Sequence, residues 1–467
     1  MCFCWNGNLA GSKIHCVAVR DTIERSSMEV RKGYKQTEVG VIPEDWEVKK
    51  LGSQCQIFGR IGFRGYTIND IVKEDQGAIS LSPSNIVDGK LNLNKVTFLS
   101  WFKYEESPEI KINNGDILLV KTGSTYGKTA IVKGLFQKAT LNPQIVVLKK
   151  IICDNAFLGY MMNYPIIKEQ IEASIVGGAI PTLSQEQVSK FAIPLPPTIE
   201  EQRAIAGALS DVDELISRLE TLITKKKAIK QGAMQELLTG KTRLKGFEST
   251  GKTKPTELGP IPEDWEILSY EDIFSFLSTS TFSRAELKED AEVMCVHYGD
   301  IHTKFNHFID FTNSQMNGCE LKTASKYSFI KNGDLIMADA SEDYEGIGKS
   351  VEVKGLQKNA ISGLHTVLLR DKNDFFVNGF RGYLQSIKSV KVSLEKYATG
   401  LKVFGVTKTN LKKIRLPIPP KEEQKAIAQI LSEMDQEIEQ LETKKAKYQT
   451  IKQGMMQELL TGKTRLV

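Results

Sequence analysis

No apolar run in this 467-residue chain approaches the roughly 20 residues that a helix needs to cross a bilayer, which argues against an integral membrane protein. Charge of one sign is not in excess either: 62 basic against 57 acidic residues leave a formal net charge of +5. So mild a balance permits an acidic partner such as nucleic acid without demanding one, because binding rests on local clustering. Cysteine is sparse, with seven residues at positions 2, 4, 16, 55, 153, 295 and 319. Their odd number and scatter argue against a disulfide framework and for a reducing compartment. Composition is otherwise ordinary, 41% hydrophobic and 25% charged, and the length predicts two to four domains.

Residues 1–27 lack a basic start followed by an apolar core, so they do not read as a signal peptide. They also lack any counterpart later in the chain. Cys2, Cys4, His15 and Cys16 are metal-ligating types, yet a leader that happens to hold cysteines explains them more simply. Repeated sequence begins shortly after Met28, which is the expected native start. Mass spectrometry tests this, and a peptide from residues 1–20 would contradict it.

What the chain does contain is a tandem duplication. Lys230-Gln-Gly-Ala-Met-Gln-Glu-Leu-Leu-Thr-Gly-Lys-Thr-Arg-Leu244 returns as residues 452–466 with one change, Ala233 to Met455. Thr37-Glu-Val-Gly-Val-Ile-Pro-Glu-Asp-Trp-Glu47 is matched by Thr256-Glu-Leu-Gly-Pro-Ile-Pro-Glu-Asp-Trp-Glu266. Between these near-copies, residues 48–190 and 267–413 share little beyond a hydrophobic pattern.

Each half then runs through short β-type segments bounded by Gly and Asn turns. They are Asp116–Val120, Thr129–Val132 and Gln144–Leu148 in the first half, and Asp334–Met337, Lys349–Val353 and His365–Leu369 in the second. A short helix is predicted after Ser184, with Gln187 closing a capping box. The proline strips Ile193–Pro197 and Leu416–Pro420 then form rigid boundaries. Beyond each strip the period becomes helical. Ile205, Leu209, Val212, Ile216, Leu219 and Ile223 form a heptad stripe, and Ile427, Leu431, Met434, Ile438 and Leu441 repeat it. With no proline from Glu200 to Leu238, a helix about 58 Å long is predicted. A lone amphipathic helix cannot bury its stripe, so the expected partner is its own duplicate. Packing on the adjacent β-rich domain is the alternative. The run Lys225-Lys-Lys227 reads as a solvated face, with a phosphate backbone or an acidic partner as the functional alternative.

The fold class is therefore α/β (α+β): two mixed β-rich domains separated by two long helices that pair antiparallel, under an internal pseudo-twofold repeat. The segments are a leader at 1–27, a first domain at 28–195, a central helix at 196–245, a second domain at 246–418 and a distal helix at 419–467.

Several motifs fail on context. Gly246-Phe-Glu-Ser-Thr-Gly-Lys-Thr253 fits the P-loop pattern, but no buried strand feeds it and Pro255 follows at once. Gly123-Ser-Thr-Tyr-Gly-Lys-Thr129 is one residue short. Asn142-Pro-Gln-Ile145 lacks the second proline and the aromatic of an amino-methyltransferase motif. His297, His302 and His307, with Cys295 and Cys319, have the wrong spacing for zinc if they lie on a strand, where five residues separate opposite faces. No metal site and no catalytic constellation is expected.

Taken together, the paired Ile-Pro-Glu-Asp-Trp strings, the strips Pro194-Leu-Pro-Pro…Glu-Glu-Gln202 and Pro417-Ile-Pro-Pro…Glu-Glu-Gln424, and the two Gln-Glu-Leu-Leu-Thr-Gly-Lys endings resemble the specificity subunits of type I restriction-modification systems. The resemblance covers residues 28–467. It implies two target-recognition domains, each reading one half of a bipartite, asymmetric site on double-stranded DNA, with the helices as spacers. It also implies a non-catalytic cytoplasmic subunit that places two adenine methyltransferase subunits and, through them, translocating endonuclease subunits. S-adenosylmethionine and ATP would be bound by those partners, and no cofactor by this chain.

Loops with Gly, Arg, Lys and polar side chains are the expected DNA readers. In the first domain these are Arg60, Arg64 and Tyr66 of Gly59–Tyr66, with a bidentate guanine contact expected of either arginine, and Lys121, Ser124, Tyr126 and Lys128. In the second they are Arg284, His302, Lys304, Lys349, Lys402 and Lys408. The turn from Ala338 to Lys349 is acidic (Asp339, Glu342, Asp343, Glu345), so it is expected to repel phosphate and to read cytosine amino groups or avoid DNA. A fused modification enzyme, a related methyltransferase-nuclease specificity subunit and a coiled-coil scaffold without a DNA role are the competing functions.

Overall fold

The computed structural model describes residues 30–174, 182–248, 251–344 and 346–466. The leader, with Cys2, Cys4, His15 and Cys16, lies outside them, as do Ser249 and Thr250 of the P-loop-like string and Glu345. Two units emerge. One joins the chain up to Glu214 to the stretch from Thr450 onward, and the other is Leu215–Gln449. Both boundaries fall inside the long helices, so each unit holds one β-rich domain plus one end of each helix.

In the first unit the central strands Ile117–Val120 and Ile145–Lys149 lie antiparallel, flanked by Gln56–Gly59 and Thr129–Ile131. Their side chains alternate, and both faces are buried. Ile117, Leu119, Val146 and Leu148 face the helices Asn155–Met162 and Pro165–Ala173 through Phe157, Met161 and Ile171. Leu118, Val120, Ile145 and Val147 face a second sheet through Ile79, Leu81 and Leu141. In that second sheet Gly77–Leu81 runs parallel to Ala139–Leu141.

The second unit repeats the plan. Leu335–Ala338 pairs antiparallel with Ser350–Lys354 and Thr366–Asp371. Leu335, Met337, Val367 and Leu369 face Phe376, Phe380 and Tyr383, while Ile336, Ala338 and Leu368 face Val296, Ile301 and Ala360. Val293–Val296 runs parallel to Ala360–Ser362. All six β-type segments named from sequence are strands within a residue or two. The capping box after Ser184 is present, heading Gln185–Ser189, with the Gln187 amide donating to Ser184 Oγ at 3.0 Å.

The proline strips start as edge strands. Ala192–Leu195 pairs with Glu47–Lys50, and Arg415–Ile418 pairs with Glu266–Ser269. A two-stranded edge tolerates proline because the lost N–H need not serve a ladder. Each strip leads into a 39-residue helix, Ile199–Leu237 (central) or Lys421–Leu459 (distal).

The two repeated strings, far apart in sequence, meet in space. In the second unit Arg243, just past the central helix, donates to Glu423 at 2.5 and 2.8 Å and to Asp264 at 3.0 and 2.9 Å, and lies over the Trp265 ring. In the first unit Arg465 bridges Glu201 and Asp45 over Trp46 in the same way. The glycines of the two Thr-Gly-Lys strings adopt φ of +69° (Gly240) and +70° (Gly462), where L side chains are strained. A Cβ on Gly240 would also sit 2.6 Å from Pro262, and one on Gly462 2.5 Å from Pro43. One packed joint therefore explains why Ile-Pro-Glu-Asp-Trp, Glu-Glu-Gln and Leu-Leu-Thr-Gly-Lys-Thr-Arg are all repeated.

A second joint ties each domain to the helices. Tyr160 donates to Asp213 at 2.8 Å and Lys452 donates to the same carboxylate at 2.7 Å, with its ammonium over the Tyr160 ring. Tyr383, Asp435 and Lys230 repeat the set. Burial is the main cause pushing both phenols up, and their bonded carboxylates reinforce it.

The stripe divides. Ile205 and Leu209 lie in the core of the first domain beside Leu459 and Leu460, and Ile427, Leu431 and Met434 lie in that of the second beside Leu237 and Leu238. For these residues the expectation of pairing with the duplicate helix alone needs correction: the first turns of each helix complete a β-rich core as well. Ile216, Leu219, Ile223 and Ile438 are buried, while Val212 and Leu441 are half-buried. Within the second unit the helices run antiparallel, joined by Glu220–Lys445, Lys226–Glu437, Lys227–Glu442 and Lys230–Asp435. Two lysines of the 225–227 run thus meet acids on the chain's own distal helix.

Candidate nucleic-acid interface

Topology gathers one set of loops at one end of each domain. In the first domain the Lys121 amide donates to Gln144 O (2.8 Å) and the Asn142 amide to Leu81 O (2.8 Å), joining the turns 121–128, 142–144 and 82–85. The second domain makes the same two bonds, from Asp339 N to His365 O (3.2 Å) and from Gly363 N to Val296 O (2.8 Å). Gln144 and His365 are therefore equivalent, as are Asn142 and Gly363, and Ser82 and His297.

The chemistry at this shared edge differs at most positions, although Lys128 and Lys349 hold equivalent places, their carbonyls accepting from Val120 and Ala338. In the first domain it is amide, hydroxyl and amine. Ser124, Lys128 and Gln144 are exposed, Lys121 and Tyr126 are half-buried, and burial holds the Lys121 ammonium below its usual range. Arg60 departs from expectation. It is buried, with Nε on Leu141 O at 2.9 Å, one terminal nitrogen on Thr140 Oγ1 at 3.0 Å and the other on Arg64 O at 3.2 Å. Those bonds use the fork that a guanine would need, so its role here is to clamp the 60–66 loop onto the sheet. Tyr66 likewise bonds within the protein, to Ser80 and Asn142. Arg64 stays a third exposed and reaches Glu109 at 3.4 Å.

The second domain presents imidazoles, phenols and carboxylates. Tyr298–Lys304 is helical, with His297 as its extended N-cap and His302 within it, which corrects the strand geometry assumed for these histidines. His297 accepts from the Gly299 amide as N-cap of Tyr298–Lys304. Burial, then Arg284, holds the His297 imidazole below its usual range. Around Tyr298 stand His297, His365 and His302, at ring-centre distances of 4.6, 5.5 and 6.1 Å. His302 Nε2 lies 2.9 Å from Ala340 O, and Lys349 Nζ donates to His302 O at 3.0 Å, so these two candidates brace the edge. Arg284 and Lys304 both pair with Asp300. Lys402 and Lys408 are exposed.

In the acidic turn two carboxylates make local contacts. Asp343 accepts from the Gly346 amide at 2.6 Å, and Asp339 lies 3.4 Å from His365 Nδ1. Sequence reading passed over Gln144, Tyr298 and His365 as site residues. Aligning the halves on the apolar strands that follow Gln144 and His365 would have paired them.

Among the described residues no group of three or more His, Cys, Asp or Glu is placed to hold a metal ion, and no helix is long and apolar enough to cross a membrane. Beyond residue 251 the P-loop-like string enters the strand Thr253–Lys254, paired with Ile261–Pro262, where a nucleotide site would need a helix.

Comparison with known proteins agrees with the duplicated plan. The family described as the type I restriction modification DNA specificity domain matches residues 43–231 and again 262–451. Two Methanocaldococcus jannaschii proteins are similar over nearly their whole length. The putative type I restriction enzyme MjaX specificity subunit is 28% identical over 93% of this chain and 97% of its own length. The type I restriction enzyme MjaVIII specificity subunit is 29% identical over 91% and 94%. A crystal structure of the type I restriction-modification system S subunit from M. genitalium shares the fold, with a TM-score of 0.52 at 16% identity over 89% of this chain and 96% of that one. With its fold and both halves matched, the chain belongs to the type I restriction modification DNA specificity domain family.

Proposed function

We propose that this chain is the DNA-reading subunit of a type I restriction-modification complex, inert by itself, whose two domains each recognise a different half of a bipartite site. The observation that carries the proposal is the contrast between repeated joints and unlike edges on one fold. Both domains are tied to both helices by the same Arg–Asp–Glu and Lys–Asp–Tyr sets, whereas the loops differ at most equivalent positions, with Lys121 and Gln144 standing where Asp339 and His365 do. Repetition of the joints suits two identical partners, and the proposed partners are two methyltransferase subunits, with endonuclease subunits joining through them. The methyl donor and ATP belong to those partners, and the complex works in the cytoplasm.

Exchange of residues 38–195 with those of a relative tests this in the complex assembled with methyltransferase subunits. The expected result is a change in one half-site with the other retained. Methyl transfer by the purified chain alone, given S-adenosylmethionine and DNA, would contradict it. So would an exchange that altered both half-sites.

A further inference from the structure

We infer that His365 determines one base of the second half-site, presenting its Nε2 to the exocyclic amino group of an adenine or cytosine. The inference rests on the specificity-subunit reading and adds the residue and the class of base it takes.

Four observations converge on this side chain. It stands at the edge where the two domains share a backbone framework and differ in side chains, in the place that Gln144 holds in the first domain. Its backbone is left-handed, with φ of +54°, whereas Gln144 needs no such conformation. A non-glycine residue there is strained, and glycine or asparagine would sit more easily. Nothing in the core uses the imidazole to offset that strain, since the side chain is 51% exposed. Finally, the ring is aimed. Asp339 Oδ1 lies 3.4 Å from Nδ1 and the Tyr298 ring stands edge-on at 84°, so the framework holds the imidazole from two sides.

This orientation sets the chemistry. In the neutral imidazole a carboxylate beside Nδ1 favours the tautomer with hydrogen on that nitrogen, which leaves Nε2 as an acceptor. In the major groove the donors available to an acceptor are the adenine N6 and cytosine N4 amino groups. Guanine and thymine present O6, N7 and O4 acceptors at the corresponding places and would face Nε2 lone pair to lone pair.

His365→Gly separates this role from folding, because glycine accepts the left-handed backbone without strain. The complex of the full chain with its methyltransferase subunits is assayed on DNA whose second half-site is randomised one position at a time. For wild type, one position should discriminate amino-bearing bases from the others by roughly 10- to 100-fold. In H365G that discrimination should fall to within about two-fold, at the size expected for losing one base contact, while the first half-site is read unchanged. Asp339→Asn should relax the same position partially, by freeing the ring. Retention of the wild-type preference in H365G overturns the inference, as does an equal loss at every sequence, which would mark a phosphate or packing role. Relaxation in the first half-site would overturn it too. If the wild-type complex shows no bipartite preference at all, the specificity-subunit reading itself fails, and that outcome is visible before any variant is compared.

Discussion

The joint around Arg243 and the joint around Arg465 are built from the same residues, yet one is completed and the other is not. Trp265 Nε1 donates to the buried Glu423 carboxylate at 2.9 Å, whereas Trp46 Nε1, equally buried, has no partner. The reading edges diverge much further, from Gln144 and Lys121 to His365 and Asp339. Duplication thus left a gradient: where a residue holds the chain together the copies stay alike to within one hydrogen bond, and where it faces outward they part. All four described histidines (His297, His302, His307 and His365) lie in the second domain, so the two domains also differ in how they respond to protons.

The comparison breaks most visibly at the joints. Glu423→Ala leaves the buried Trp265 indole without a partner and Arg243 with Asp264 alone, and losing charge-assisted bonds of this kind costs about 1.5–3 kcal/mol. Glu201→Ala should cost about 1 kcal/mol less, since no indole bond is lost with it. Chemical denaturation of the two variants measures the difference, and equal losses would mean that the missing Trp46 bond carries no weight.

Acid should separate the domains next. Burial, with Lys230 nearby, holds the His307 imidazole down to about 4, and the ring packs 4.7 Å from Tyr383 beside the helix joint. In the unfolded chain it would titrate at about 6.5. The folded form thus resists the proton, so its contribution is complete above about pH 6.5 and is lost as pH falls towards 4, on the order of 3 kcal/mol in all. His307→Gln should flatten that part of the stability–pH curve. Hydrogen exchange should then find the second domain softening over that window while the first does not. Depressed Asp45 and Asp264, each held by its arginine, give both domains a further loss of stability at lower pH, as those carboxylates take up protons.

The smallest effect is expected on the helix surface. Lys226→Ala and Lys227→Ala remove ion pairs that are about half exposed, worth roughly 0.5 kcal/mol or less each and weaker still in high salt. A loss above about 1.5 kcal/mol would show that the exposed pairs rather than the buried stripe hold the helices together.

Much of this was legible beforehand because it repeats. Near-identical strings marked the helix ends, short β-type runs between Gly and Asn turns marked the strands, and the heptad marked the long helices. Long-range geometry was not legible. Arg60 read as a groove contact because glycines flank it, and only the sheet that arrives with Thr140 and Leu141 turns it inward. His297 and His302 read as strand residues because nothing local announces that His297 caps a helix. His365 went unmarked as a reader because its left-handed backbone follows from closing a turn onto Asp339, a contact between residues 26 positions apart.

Replacing residues 267–413 with a copy of 48–190 would make both reading edges alike while keeping both joints. The methylation pattern of the resulting complex, read base by base across a genome, should change from two unlike half-sites to an inverted repeat of the first half-site. A pattern that keeps the original second half-site would contradict the assignment of sequence reading to these domains.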